Sequence, residues 1–384
     1  MYALRCNIKT LAILENRRIY ARLMHKYESR QVAIIGARGY SGLDLARLIL
    51  KHPVAQLAVC FANESAFSLE DYLPEAVAKT IAVKPLSEMP RLLRELHTVF
   101  LATPAEASLG LVPVLIEAGV NVIDLSGAFR LKKGGKVAYS KWYKFEHTQA
   151  ELLDRAHFGL SPWANNETPS KAGPTLISNP GCYATSVLMA ILPLLRSDLI
   201  EPSSLVIDSK SGTSGAGRKA AENLIFTEVD GECLPYRVGQ HQHFPEIQEY
   251  AQVFGGQAID PFFNTSLLPV RRGIISSIYA RLKTGRGLAD IRTALANAYE
   301  DYPLVKISAL SELSAIGQAQ AVSLKKVVGS ARTHLAFEVV GEKLYMFSLL
   351  DNLLKGAASQ AVENFNWLNG LPAGTGLTEI EGVL

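Results

Sequence analysis

The sequence predicts an α/β chain of two domains, the first built on a parallel sheet and the second α+β with a mainly antiparallel sheet. Three observations predict this. Short apolar runs of buried-strand type alternate with helical patterns from residue 31 to about residue 178. Beyond that point the alternation gives way to strand-like runs, two of them joined by Gly341-Glu342, a hairpin signal. The length of 384 residues also exceeds one typical domain.

Residues 31–35 form the first expected strand, followed by Gly36-Ala37-Arg38-Gly39-Tyr40-Ser41-Gly42. Leu43, Ala46, Leu48 and Ile49 then supply the apolar face of a helix that His52-Pro53 stops. Further strands are expected at 57–61, 98–102 and 121–125, with helices at 87–96 and 105–118. Such alternation implies right-handed crossovers and a parallel sheet. In the second half, strands are expected at 206–208, 273–280, 335–340 and 343–348, and a helix at 352–368 that stops at Asn369-Gly370. The expected domains are a basic extension at 1–30, a first domain at 31–178, a second at 179–351 and a C-terminal helix region at 352–384.

The composition, 48% hydrophobic and 20% charged, suits a globular chain with a substantial core. A formal charge of +3 gives no reason to expect a nucleic-acid or membrane partner, and no apolar run is long enough to span a bilayer. Four cysteines and eight histidines match no zinc spacing, so no metal is expected and a reduced, cytoplasmic chain is. Cys60 sits inside an apolar strand and reads as a small buried hydrophobe. Residues 1–30 carry seven Lys and Arg against Glu15 and Glu28, without the apolar core of a secretory signal. A loosely docked extension is expected there.

Gly36-x-x-Gly39-x-x-Gly42 follows a strand and opens a helix, the context in which glycines let a pyrophosphate approach free N–H groups. An ordinary strand-to-helix turn would show the same spacing. NAD-binding chains usually carry an Asp or Glu at the end of the second strand, where this one reads Phe61-Ala62-Asn63 with Glu64 only afterwards. That absence points to NADP, with Arg38 as a candidate cation for the 2′-phosphate.

Asn179-Pro180-Gly181 makes a turn before Cys182 and a strongly apolar helix. A cysteine at a helix N-terminus is expected to favour thiolate, the nucleophile that forms a thioester with an activated acyl group. A buried structural cysteine is the alternative. His241 and His243 lie two apart, and either could take the thiol proton; Glu246, three beyond His243, could orient its ring. The segment from Lys210-Ser211-Gly212 through Gly215 to Arg218 is glycine-rich and basic, suited to an anion, though a surface loop would look alike.

Together these segments resemble the N-acetyl-γ-glutamyl-phosphate reductase family, relatives of aspartate-semialdehyde dehydrogenase, from about residue 31 to the C-terminus. Its carriers are the glycine loop, Asp124-Leu125-Ser126 with Phe129-Arg130, and Asn179-Pro180-Gly181-Cys182-Tyr183-Ala184-Thr185. They continue through Lys210-Ser211-Gly212 with Ser214-Gly215-Ala216-Gly217-Arg218, His241-x-His243-x-Pro245-Glu246-Ile247 and Asp351-Asn352-Leu353-Leu354-Lys355-Gly356-Ala357-Ala358. Family members often read Asp-Leu-Ser-Ala-Asp-Phe-Arg where this chain has Asp124-Leu125-Ser126-Gly127-Ala128-Phe129-Arg130.

The resemblance implies a Rossmann-type NADP-binding domain, an α+β catalytic and dimerisation domain, and a C-terminal helix returning to the first domain. It makes Cys182 the nucleophile and His243, then His241, the acid/base, with Glu246 beside them. NADPH/NADP would be held by Gly36, Arg38, Gly39, Tyr40, Ser41 and Gly42, with Ser65, Gly212 and Gly215. The acyl-phosphate substrate would meet Asn179, Lys210, Ser211, Arg218 and Arg130. The implied reaction reduces N-acetyl-γ-glutamyl phosphate to the semialdehyde in arginine biosynthesis, in a homodimer or homotetramer. A reductase acting on carrier-linked aminoadipyl phosphate, an aspartate-semialdehyde dehydrogenase and a non-catalytic NADP sensor are the alternatives.

Overall fold

The computed structural model describes residues 27–62, 67–73, 80–164 and 173–378. Most of the basic extension, together with Asn63, Glu64 and Ser65, lies outside the described residues.

The first sheet has seven parallel strands in the order β3-β2-β1-β4-β5-β7-β6. They are β1 (Arg30–Ile35), β2 (Ala55–Ala62), β3 (Ala82–Pro85), β4 (Thr98–Leu101), β5 (Asn121–Asp124), β6 (His157–Phe158) and β7 (Leu176–Ser178). Helix α1 (Tyr40–Leu50) follows β1 and α2 (Ala105–Glu117) follows β4. Strand order reverses between β1 and β4, which opens a crevice beyond their carboxyl ends. Gly36 turns the chain there at φ +91°; a Cβ on it would lie 2.4 Å from the carbonyl oxygen of Ala102. The helix expected at 87–96 is instead a series of short turns, Leu86–Glu88, Met89–Leu92 and Leu93–Glu95. Pro90 has no N–H and favours only a first turn.

The second sheet also has seven strands, in the order β12-β13-β14-β11-β8-β10-β9, with β9 the two-residue edge strand Leu234–Pro235. Of these, β8 (Val206–Gly212), β11 (Ile274–Arg281), β14 (Lys343–Leu350) and β13 (Thr333–Val340) form its antiparallel centre. Strand β10 (Phe262–Leu268) runs parallel to β8, and β12 (Val305–Ala309) parallel to β13, so the sheet is mixed. Both were missed from sequence. β10 reads Phe-Phe-Asn-Thr-Ser-Leu-Leu, with polar residues in its middle.

One face of this sheet carries α5 (Cys182–Arg196), which also packs on α6 (Phe244–Gly255) and α7 (Leu288–Tyr299); helices α3 (Gly135–Trp142) and α4 (Ala150–Arg155) lie in the first half. Helix α5 is buried from Tyr183 to Leu195, as expected of a helix apolar on all sides. Ser186 sits within 2.8 Å of Ser276, which also accepts from Ser209, so small residues let α5 approach the sheet closely.

The helix expected over 352–368 is two structures. A π-helical turn, Leu354–Ala358, precedes α8 (Ser359–Leu368). Helix α8 packs against α1 and β5. Its Phe365 is fully buried, with ring centroids 5.4 Å from His52 and 6.1 Å from Phe100. Burial of such a ring stabilises by about 2–3 kcal/mol. One continuous apolar core therefore runs through both halves. Among the described residues no helix is long and apolar enough to cross a membrane.

Candidate active site

The crevice beyond β1 and β4 deepens into a cavity of about 710 Å³. Its floor on the first-domain side is Gly39, Tyr40, Ser41 and Gly42, with Ser126 and Gly127 from the loop after β5. The opposite wall holds Cys182, His241 and His243, and Ser211, Gly215 and Arg218 close a third side. The site is assembled from strand ends, the N-termini of three helices at Tyr40, Cys182 and Phe244, and loop residues that include Arg218, Arg237 and His241.

Cys182 is the first residue of α5, with Gly181 as its N-cap. The turn before it is clamped from two sides. Glu246, fully buried at the start of α6, accepts the N–H of Gly181 at 2.9 Å. Arg130 donates from Nε to the carbonyl of Asn179 at 2.8 Å. Arg130 and Glu246 form a buried ion pair at 3.2 Å, and the hydroxyl of Tyr143 donates to the same carboxylate at 2.6 Å.

Glu246 therefore holds the cysteine turn; it does not orient an imidazole. Its Oε1 stands 4.0 Å from Nε2 of His243, while its oxygens are occupied by Gly181, Arg130 and Tyr143. The ring of His243 lies against Gly181, where a Cβ would come within 2.4 Å of Nε2. Nη1 of Arg130 approaches the same Nε2 at 3.4 Å. Arginine can only donate, so Nε2 is the acceptor and the proton sits on Nδ1, which has no partner among the described residues. Burial, with Arg130 and Arg237 adding to it, holds His243 well below the usual histidine range. His241 accepts the N–H of His243 on its Nδ1 at 3.1 Å, and burial pushes it down to about 2. Both rings are neutral.

Burial pushes the Cys182 thiol up to about 11, against the pull of Arg130 and the N–H of Tyr183. Burial thus works against the thiolate expected at this helix N-terminus. Desolvation of the sulfur outweighs the favourable backbone field. Among the described residues no hydrogen bond joins the thiol to either imidazole, a looseness common before substrate binds.

Three residues expected at the site stand elsewhere. Lys210 pairs with Asp208 on the face of β8 remote from the helices, because strand alternation that turns Ser209 and Ser211 inward turns Lys210 out. Asn179 is buried outside the cavity, donating to the carbonyl of Ala357 and accepting from Asn364. Gly212 packs against the backbone of Val270 and Arg272, leaving no room for a Cβ. Ser211, Gly215, Arg218 and Arg130 do line the cavity, although the donors of Arg130 are engaged by Leu125, Asn179, His243 and Glu246.

Arg218 donates to the carbonyl of Arg38 at 3.1 Å and stacks over Tyr72, which ties the second-domain loop to the glycine loop. Arg38 borders a separate pocket of about 300 Å³ at the end of β2, with Gly36, Phe61, Ala62 and Phe67. Among the described residues, no carboxylate lines that pocket.

Tyr143 and Arg237 were missed from sequence. Tyr143 lies 103 residues from Glu246, and no local pattern announces the contact. Arg237 faces the cavity from a left-handed backbone, φ +47°, and nothing in its neighbours signals it.

Residues 31–170 match the family described as semialdehyde dehydrogenase, NAD binding domain, and residues 182–352 the semialdehyde dehydrogenase, dimerisation domain. An N-acetyl-gamma-glutamyl-phosphate reductase of Geobacillus stearothermophilus is 40% identical over 353 residues, 91% of this chain and 98% of that protein. This chain belongs to the N-acetyl-gamma-glutamyl-phosphate reductase family. A family member of Bacillus cereus (strain AH187) is 36% identical over 90% of this chain and 98% of its own length. Solved aspartate semialdehyde dehydrogenases share the family's fold. One from Vibrio cholerae, complexed with ASA, has a TM-score of 0.61 at 17% identity, covering 89% of this chain and 98% of its own. One with NADP from Candida albicans has a TM-score of 0.59 at 13% identity, covering 87% of this chain and 97% of its own.

Proposed function

We propose that the chain is an NADPH-dependent reductase that converts N-acetyl-γ-glutamyl phosphate to N-acetylglutamate semialdehyde and phosphate. The observation that carries this reading is the single cavity lined by Cys182, His243 and the Gly39–Gly42 loop. The family relatives bear the name of that reductase.

The cofactor site fits the residues present. The backbone approach at Gly36 and the helix N-terminus of α1 suit a pyrophosphate, and the pocket beside Arg38 suits an adenosine 2′-phosphate. NADPH supplies the hydride. The remaining chemistry belongs to the chain. Nε2 of neutral His243 takes the thiol proton as the acyl carbonyl reaches Cys182. Sulfur bonds to the acyl carbon and the carbon–oxygen bond to phosphate breaks. After reduction the carbon–sulfur bond breaks, the aldehyde leaves, and His243 returns the proton to sulfur. Arg237 supplies positive charge toward the substrate's anionic groups, because Arg130 is occupied.

The partner is a second copy of this chain. Phe262, Val206, Tyr279 and Tyr345 form one cross-strand row on the helix-free face of the second sheet, and Phe262 is 81% exposed. The dimerisation-domain match covers these strands. A cytoplasmic location follows from the metabolic role.

Purified protein given NADP, phosphate and N-acetylglutamate semialdehyde should generate NADPH, and Cys182→Ser should abolish it. Turnover of aspartate semialdehyde alone, or full activity in the serine variant, defeats this reading.

A further inference from the structure

We propose that Lys355 is a positioning residue, whose buried ion pair with Glu363 holds the π-helical turn Leu354–Ala358 in the register that seats Gly356 against Cys182. The inference rests on the reading of Cys182 as nucleophile.

The turn is wide because Gly356 donates to Asp351 and Ala358 to Leu353, each five residues back. In regular α geometry Gly356 would bond to Asn352 and each following side chain would rotate by about 100°. The wide register has one visible consequence at the site. A Cβ on Gly356 would stand 2.7 Å from Cβ of Cys182 and 3.3 Å from its Cα, so the two backbones are in contact. Gly356 and Ala357 line the cavity beside the sulfur, and the carbonyl of Ala357 accepts from Asn179 at the start of the cysteine turn. Single π turns inside helices are uncommon and concentrate at functional sites.

Lys355 ties this turn to the regular helix beyond it. Its side chain is wholly buried, and Nζ donates to Glu363 at 2.8 Å, to the Tyr302 hydroxyl at 2.6 Å and to the carbonyl of Ser161 at 3.3 Å. Tyr302 in turn donates to the other oxygen of Glu363. On the near side, Asp351 accepts from Leu353, Leu354 and Arg272. No step of the reaction uses the Lys355 triad, and it lines no part of the cavity. A buried ion pair adds little net stability over packed apolar side chains, whereas it specifies register, since any slip strands a charge in the core. The backing of the nucleophile is what that register determines here.

The test is the triple variant Lys355→Met/Glu363→Met/Tyr302→Phe, which leaves no orphan charge, with Gly356→Ala as a second variant that leaves the ion pair intact. The triple variant should bind NADP with wild-type affinity and keep KM, while kcat and the rate of Cys182 alkylation by iodoacetamide fall about tenfold or more. Gly356→Ala should lower kcat about a hundredfold at unchanged NADP affinity. Wild-type kcat and alkylation in the triple variant, or an equal loss of NADP affinity, overturns the proposal. If the triple variant does not fold, wild-type kcat in Gly356→Ala overturns it. Cys182→Ser in the wild-type background separates the two claims. If that variant keeps turnover, the nucleophile reading has failed; if it is inactive while the positioning variants are unaffected, only the role of Lys355 has.

Discussion

The carboxylate of Glu246 accepts the backbone N–H of Gly181 at 2.9 Å, so the residue before the nucleophile is held by the first turn of a different helix. The same carboxylate pairs with Arg130, which grips the carbonyl of Asn179. The three-residue turn is thereby fixed at both ends.

Glu246→Gln keeps the shape but leaves Arg130 buried without its counter-charge. Thermal unfolding should show a loss of about 3–5 kcal/mol, and kcat should fall with it. A melting temperature equal to wild type would remove the ion pair from its clamping role.

Alkylation reports the thiol directly. In a Cys6→Ser/Cys233→Ser background, which leaves Cys60 and Cys182 as the remaining thiols, iodoacetamide should modify Cys182 slowly at neutral pH and progressively faster up to about pH 11. Cys60, buried and pushed up to about 12, should stay unmodified in the folded protein. Full-speed alkylation of Cys182 at pH 7 would mean the helix N-terminus outweighs burial after all.

His52 accepts the N–H groups of Val54 and Ala55 on one ring nitrogen and meets Asn366 with the other, and burial lowers it to about 4. The unfolded chain binds this proton near pH 6.5 and the folded one near 4, so the unfolded state gains protons first as pH falls. Its stabilising effect is complete above about pH 6.5 and declines by about 3 kcal/mol toward pH 4. Denaturant unfolding across that window should show the slope, and His52→Gln should flatten it. An identical slope in the variant would assign the acid sensitivity to other groups.

Arg38→Ala should raise KM for NADPH much more than for NADH. Equal effects on the two cofactors would take Arg38 out of 2′-phosphate recognition.

A charge placed in the open row of the second sheet should split the assembly. Tyr279→Asp is expected to elute as a monomer on size exclusion, whereas a wild-type elution volume would move the interface to another face.

Local pattern determined a good deal of this protein. Strand β1, its glycine turn and α1 were legible because one apolar run, three glycines and one helical face lie within 21 residues. The turn-then-helix reading around Cys182 rested likewise on adjacent residues. Tertiary structure decided the rest. The role of Glu246, the contact of Tyr143 and the outward face of Lys210 depend on which distant elements meet, and no spacing encodes that. The upward push on the Cys182 thiol was hidden for the same reason: a helix terminus is a local feature, but desolvation depends on everything packed around the sulfur. The π turn at Leu354–Ala358 was hidden within an apolar periodicity that reads as ordinary helix, since only its partners in the core set its register.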